Sequence, residues 1–450
     1  MLAYRLIERK RDGGRIEPGE WRALVHAYAS GHVADHQMAA FLMAVYLRGL
    51  DRAETRSLTE AMLGGGTPLV VRYSGLACVG EQSTGGVGDK VSLVLAPLVA
   101  SLGVAVPMVL GPALAHTGST LDKLESIPGF RTSLALVEAR SQMERIGCVM
   151  TGAIPEMAPA EEMMSSLRDA TATVESVPLM AASIMSRKLS EGLTGLVLDV
   201  KHGSGSLVPT TDDALELARL AISLGVDHGC DTVALLTAMD RPLGRAVGNA
   251  LEMEEAIHAL RGEGPPDLLE VTFALGAEML MLARAVLTRE EAREVMAKSI
   301  SSGAAARKFQ EIVEFQGGNP AVVDDPSILP QAEACELYES PQRGFVARVE
   351  PRAVGWGVPT LSDGHVRLNG VGDPAAGFVI SAKPGDWVEL GEPLATIFAS
   401  GAQGIAAGRM ALREAIRVAE DADPPLPLIS HRVVGAQVSR YDRDLPFGAA

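Results

Sequence analysis

Two glycine-punctuated stretches carry residue types from which ligand sites are built. They are Gly80-Glu81-Gln82-Ser83-Thr84-Gly85-Gly86-Val87-Gly88-Asp89 and Gly111-Pro112-Ala113-Leu114-Ala115-His116-Thr117-Gly118-Ser119-Thr120, each after an apolar run and each opening a helix-like segment. Glycine lets the backbone approach a ligand closely, while Ser and Thr hydroxyls and the free N–H groups of a helix start offer donors to negative oxygens. A plain turn uses the same residues. Two such loops close together in one stretch turn the reading toward binding of an anion-like group.

The elements that must position these loops follow from composition and periodicity. The chain has 450 residues, 47% hydrophobic and 21% charged, which suits a globular protein of two or three domains with a sizeable core. A net charge of −16 with scattered basic residues argues against a nucleic-acid surface, so any phosphate binding must be local. Cys78, Cys148, Cys230 and Cys335 stand far apart without a C-x-x-C pair, so neither a zinc site nor a disulfide framework is expected, and a cytoplasmic setting fits. The start of the chain mixes charge through its apolar positions and lacks a signal-peptide core, and no run is long enough to span a membrane.

Helical spacing of Leu2, Leu6 and Ile7, a start at Pro18 before Trp21, Leu24, Val25 and Tyr28, a cap at Asp35 and an Asp51/Glu54 capping box predict four opening helices. After Gly64-Gly65-Gly66, short β-branched runs (Ala77 to Val79, Val104 to Leu110, Cys148 to Thr151, Leu196 to Val200, Val233 to Thr237) alternate with amphipathic segments, the pattern of a largely parallel α/β sheet. One continuous helical periodicity from Pro159 to Gly192 interrupts it and is expected to return to the opening helices. Leu268 to Leu287 reads as a core helix. From Gly344 the texture becomes short strands and turns, and Lys383-Pro384-Gly385-Asp386 to Leu394 has a lipoyl-like look without a lysine placed as a carrier. The expected architecture is α/β plus all-α. A small helical domain comprises residues 1–66 and 159–192, an α/β domain comprises 67–158 and 193–340, and 341–450 form a β-rich C-terminal lobe, with a cleft between the helical and α/β parts.

Four long strings, Ser83 to Leu95, His116 to Phe130, Arg168 to Gly192 and Met239 to Leu251, resemble the signature segments of the thymidine and pyrimidine-nucleoside phosphorylase family, in the same order along nearly the whole chain. The resemblance implies a homodimer whose helical and α/β domains close on a nucleoside and transfer its pentosyl group from a pyrimidine to phosphate, a co-substrate, with no cofactor. It implies phosphate binding by Ser83, Ser92 and Thr120. It also implies pyrimidine-edge hydrogen bonds from Arg168 and Ser183, ring packing by Leu114, and a structural alkali cation, in some members, near Gly88, Leu243, Ala246 and Glu255.

The departures from the family pattern fall in the ligand positions. Glu81 and Gln82 stand where the family has lysine and histidine, Leu110 and Pro112 where it has serine and arginine, Ser165 where it has tyrosine and Arg187 where it has lysine. A carboxylate beside a phosphate dianion turns attraction into repulsion. Gln82 can hydrogen-bond but cannot deliver a proton at neutral pH. Arg187 keeps the positive charge for a departing base in a planar fork, and Ser165 opens the base wall to a bulkier base. With 183 and 187 four apart, Ser183 and Arg187 share a helix face, and Arg168 is expected on the same helical segment.

Three functions stay open. One is pentosyl transfer from a pyrimidine-type nucleoside with poor ordinary thymidine or uridine phosphorolysis. Another is hydrolysis, or transfer through Glu81 without phosphate. The third is a silent ligand-binding paralogue. Glu81 discriminates among them, since it is either a reacting group or a solvated residue on a degenerate loop. His116 reads equally as a cleft or structural residue, His202 as a hinge or wall, and Asp122, Lys123, Glu125 and Asp169 as ion-pairing residues.

Overall fold

The computed structural model describes residues 2–69, 77–113, 115–362 and 372–442. It opens with α1 (Leu2–Arg11), α2 (Pro18–Ala29), α3 (Asp35–Arg48) and α4 (Arg52–Leu63). Pro18 starts α2 where its missing N–H costs nothing. Asp51 caps α4 by accepting from Glu54 N at 2.8 Å, while Glu54 accepts in return from Asp51 N and also holds Lys10 Nζ at 3.0 Å. The same carboxylate thus caps one helix and pins α1 against it.

The chain continues through β1 (Val79–Ser83), α5 (Val91–Ala100), β2 (Val106–Val109), α6 (Thr120–Glu125), α7 (Leu136–Ile146), β3 (Cys148–Thr151), α8 (Pro159–Ala170), α9 (Val177–Ser190), β4 (Gly195–His202), α10 (Thr211–Asp227) and β5 (Asp231–Ala238). The expected single helical run from Pro159 to Gly192 is two helices. The break falls after Thr171, where Ala172 takes a positive φ of 53°, and Pro178 then starts the new helix. Ala160 and Met164 of α8 and Leu179 and Ala182 of α9 join the core formed by Trp21, Phe41, Leu42 and Leu58. Met180, Ala181 and Met185 turn the other way, into the core beside the sheet.

β1, β4 and β5 run parallel, with Ser83 paired to Asp199 and His202 to Ala238. β2 and β3 form a second parallel pair, tied to the first by the Cys78–Ala105 bridge. Val197 and Leu235 face one core while Leu196, Leu198, Ala234 and Leu236 face the other, the period-2 pattern of strands covered on both faces. After β6 (Ala246–Val247), α11 (Asn249–Leu260), α12 (Pro266–Leu282), α13 (Arg289–Ser301) and α14 (Ala304–Phe315), the C-terminal part contributes β7 (Ala334–Glu339), β8 (Gly344–Val349), α15 (Pro351–Gly357), β9 (Gly377–Ile380), β10 (Trp387–Val388), β11 (Pro393–Ala399), α16 (Ala402–Ala415) and β12 (Ile416–Ala419). Lys383 is no carrier: its ammonium binds the carbonyls of Pro242 and Gly244 and the Asp267 carboxylate.

Chain order does not foretell the last hairpin. β13 (Ile429–Val434) pairs antiparallel with β5 and β14 (Gln437–Arg440) with β13, so the C-terminus completes the central sheet. The molecule is therefore a small helical domain beside a large α/β domain with a β-rich C-terminal lobe. No described helix is long and apolar enough to cross a membrane.

Candidate functional site

Ligands in parallel α/β sheets gather at the carboxyl ends of the strands, and β1 delivers Glu81, Gln82 and Ser83 to that end. Gly80 to Ser83 are strand, not loop, and Glu81 lies 1% exposed beneath the first turn of α5. That burial speaks against the reading of Glu81 as a solvated residue on a degenerate loop. Ser92 Oγ donates to Glu81 Oε2 at 2.7 Å, whereas Oε1 has no hydrogen-bond partner among the described residues. Burial pushes this carboxyl up to about 8; the Ser92 bond and Lys188 pull against it, and Asp199 and Asp89 add to it.

Glu81 lines a cavity of about 100 Å³ together with Gln82, Ser83, Thr84, Asp89, Ser92, Leu110, Pro112, Thr120 and Arg187. The three hydroxyl residues Ser83, Ser92 and Thr120 thus meet around one space. Its charge is unlike that of an anion cradle. Ser83 Oγ donates to Asp89 Oδ2 at 2.6 Å, and Lys201 Nζ lies 2.5 Å from Asp199 and 3.6 Å from Asp89. Burial alone would raise Asp89, but Lys201, the Ser83 hydroxyl and Lys123 hold it below its ordinary value. Lys123 Nζ is itself engaged by Asp89 O at 2.6 Å and Glu252 at 2.7 Å, and Lys188 by Glu191 at 2.8 Å. Arg187 is the one cation among the lining residues.

A second cavity, of about 60 Å³, shares Gln82, Ser83, Thr84 and Arg187 with the first and adds Ser165, Arg168, Ser183 and Ile184. The four base-side residues Ser165, Arg168, Ser183 and Arg187 therefore meet, although Arg168 stands on α8 and the other helical pair on α9. The fifth, Leu114, lies outside the described residues. Glu161 organises the wall: it accepts from Ser183 Oγ at 2.6 Å and from Arg187 Nη2 at 2.6 Å. Sequence reasoning missed it because an acidic residue in the first turn of a helix already has a reason to be there. Gly111 gives Arg187 its room, since a Cβ there would overlap the guanidinium. Arg168 donates to the carbonyls of Thr173, Val174 and Leu179, so it also braces the turn between α8 and α9. Burial draws its pKa down to about 10, which leaves it charged at neutral pH. Gln82 Nε2 donates to Ser83 O.

The weaker candidates resolve into structure. His116 Nε2–H donates to Gly205 O at 2.7 Å, and His202 Nε2 meets Ser430 Oγ at 3.0 Å; neither ring lines the two cavities. Of the four expected ion-pairing residues, Lys123 forms the pair with Glu252, while Glu125 accepts from Thr132 Oγ1 at 2.5 Å. The alkali cation that the resemblance implies for some members near Gly88, Leu243, Ala246 and Glu255 does not fit here. Lys90 Nζ sits between Leu243 O at 3.0 Å and Ala246 O at 2.9 Å and bonds Glu255, so an ammonium already holds those oxygens. A larger cavity, about 670 Å³ between Arg245, Glu254, His258, Pro265, Leu329 and Phe398, shares no described lining residue with those two cavities. Its acidic groups are partly spoken for, Glu255 by Lys90 and Glu263 by His258.

Comparison with known proteins gives the family of the chain. Residues 76–306 match the glycosyl transferase family a/b domain and residues 4–65 the helical bundle domain of the same family. The chain is 41% identical over 396 residues to a pyrimidine-nucleoside phosphorylase of Geobacillus stearothermophilus, covering 88% of this chain and 91% of that protein. It is 42% identical over 429 residues to a thymidine phosphorylase of Mycobacterium tuberculosis, covering 95% and 98%. Among solved structures, an anthranilate phosphoribosyltransferase from Thermus thermophilus shares the fold, with a TM-score of 0.55 and 19% identity over 69% of this chain and 99% of that one. The chain belongs to the thymidine and pyrimidine-nucleoside phosphorylase family of glycosyl transferases.

Proposed function

We propose that the protein is a pentosyl transferase that cleaves the N-glycosidic bond of a pyrimidine nucleoside, with ordinary thymidine or uridine phosphorolysis poor. The observation that carries this reading is the pair of adjoining cavities joined through Gln82, Ser83, Thr84 and Arg187. One suits a base and the other what replaces it at the sugar. Because the Ser183 hydroxyl directs its hydrogen to Glu161, its oxygen is left to accept the imide N–H of a pyrimidine. The remaining N–H groups of Arg168 suit a ring carbonyl. Arg187 stabilises the negative charge that grows on the departing base, with Glu161 fixing its fork. The small base-side space favours one ring over two, and Ser165 leaves room for a substituent on that ring.

The relatives' names, thymidine phosphorylase and pyrimidine-nucleoside phosphorylase, support the same donor. A homodimer is part of the proposal: Tyr4 (65% exposed), Met43, Tyr46 and Leu47 (71% exposed) form an apolar surface on α1 and α3 that suits a second copy. We further propose a cytoplasmic enzyme without a cofactor, for which the dispersed cysteines and the paired acids offer no competing chemistry. The test is a panel of pyrimidine and purine nucleosides, including ring-substituted pyrimidines, with chromatographic detection of free base. Release of pyrimidine bases is expected; release confined to purines, or none from any nucleoside, would contradict the assignment.

A further inference from the structure

We propose that the acceptor in the cavity beside Glu81 is water, with Glu81 Oε1 taking its proton, so that the protein is a nucleoside hydrolase built on a phosphorylase scaffold. This rests on a pyrimidine nucleoside being the glycosyl donor, as proposed above.

The argument starts from charge. Two carboxyl groups, Glu81 and Asp89, line this space against one guanidinium, Arg187, which is already bonded to Glu161. Lys123, Lys188 and Lys201 approach from below, but each is held by a carboxylate and none lines the cavity. A phosphate dianion entering here would meet the Asp89 carboxylate and, once Glu81 ionises, a second one, with no unpaired cation among the described lining residues to offset them. A neutral molecule meets no such penalty.

The second step is the orphaned oxygen. A fully buried carboxyl with one oxygen engaged by Ser92 and the other unbonded loses the solvation of that second oxygen unless something in the cavity restores it. The cavity is polar and is lined by Ser83 and Thr120 as well as Glu81, so a water held there has hydroxyl partners beside the carboxyl. Strand alternation gives the placement. Val79, Glu81 and Ser83 share one face of β1, and Glu81 lines the acceptor cavity but not the base-side one, whereas Gln82 and Ser83 line both.

The chemistry balances without another reactant. The water oxygen bonds to the anomeric carbon as the glycosidic C–N bond breaks. The bond pair leaves on the base nitrogen beside Arg187, and the water proton passes to Glu81 Oε1. Return of that proton through solvent to the base anion gives free pentose and free pyrimidine. The charged groups that face Glu81 are Asp89 on the loop after β1, Asp199 and Lys201 on β4, and Arg187 and Lys188 on α9; α5 contributes only the Ser92 hydroxyl. As burial and the acids dominate, Glu81 is largely protonated at neutral pH, and the base form accumulates as pH rises through about 8.

The experiment uses the full chain with uridine and thymidine, with and without inorganic phosphate, and follows free pentose and sugar 1-phosphate separately. Expected are free pentose without sugar 1-phosphate, a rate indifferent to phosphate and rising through about pH 8, and a loss of about 10²–10⁴-fold in Glu81→Gln. Calorimetry with the free base tests that variant's fold, since its base cavity should bind as in wild type. Sugar 1-phosphate formed only when phosphate is present would overturn the water assignment and leave the nucleoside donor standing. So would phosphorolysis that falls as pH rises through about 8, which would make protonated Glu81 a phosphate donor. Absence of cleavage in both buffers would instead remove the donor assignment itself.

Discussion

Glu81 holds a proton in the folded protein that the unfolded chain releases near the ordinary carboxyl value of 4.5, because burial raises it to about 8. The sign follows: stability from this proton is complete below about 4.5 and is lost as pH rises through about 8. Glu81→Gln has no such dependence, so its melting temperature should overtake that of wild type between pH 5 and 8.5, by a stability difference on the order of a few kcal/mol. A constant difference across that range, measured by calorimetric melting, would contradict the buried carboxyl. Glu161 offers a second test. Glu161→Ala leaves the Arg187 guanidinium without its partner and frees the Ser183 hydroxyl, so stability should fall by about 3–5 kcal/mol and kcat/KM for nucleoside by about tenfold or more. At this scale the sequence is legible where residues are near neighbours or match a motif. Ser83, Ser92 and Thr120 line one cavity, but the partners of Ser183 and Arg187 lie on another helix, 22 and 26 residues away, and no local pattern names Glu161.

Helices and strands are legible where periodicity is strong and less so where backbone geometry decides. Cys148 to Thr151 is a strand over the expected residues, and the α2 and α4 starts follow Pro18 and Asp51. The apolar spacing of residues 159–192 continues through Thr171 to Ser176, so the pattern hides a turn that carbonyl bonds from Arg168 stabilise. Helix α5 poses another problem, since Lys90 just before it looks like a surface charge. Its oxygen partners stand 153 to 165 residues away, on segments that only the fold brings near. A prediction follows from that ammonium. Wild-type melting should be the same in sodium, potassium and choline chloride at equal ionic strength, whereas Lys90→Thr should lose about 3–5 kcal/mol and become sensitive to which cation is present. Equal alkali dependence in both proteins, measured by thermal melting, would show that the oxygens bind a cation beside Lys90.

Over the whole molecule, the parallel strands and intervening helices fix the division into a helical and an α/β part, but the C-terminal hairpin is not legible in the sequence. Its strands are short and polar on one side, and β13 finds its place only because β5 leaves an edge to cover. Arg432 and Arg289 converge on buried Glu278 and tie that hairpin to α12 and α13. In the proposed dimer the exposed apolar residues of α1 and α3 meet the second copy, so Leu47→Asp should give a monomer by light scattering, and a wild-type monomer would contradict the proposal. The proposed function rests at this scale on two cavities that share lining residues of the β1 end and of α9. The most direct measurement is the crystal structure of Glu81→Gln with a pyrimidine nucleoside bound. The account predicts the base between Arg168, Ser183 and Arg187, with the anomeric carbon turned toward residue 81; a nucleoside seated in the large cavity beside His258, or with its sugar turned away from residue 81, would contradict it.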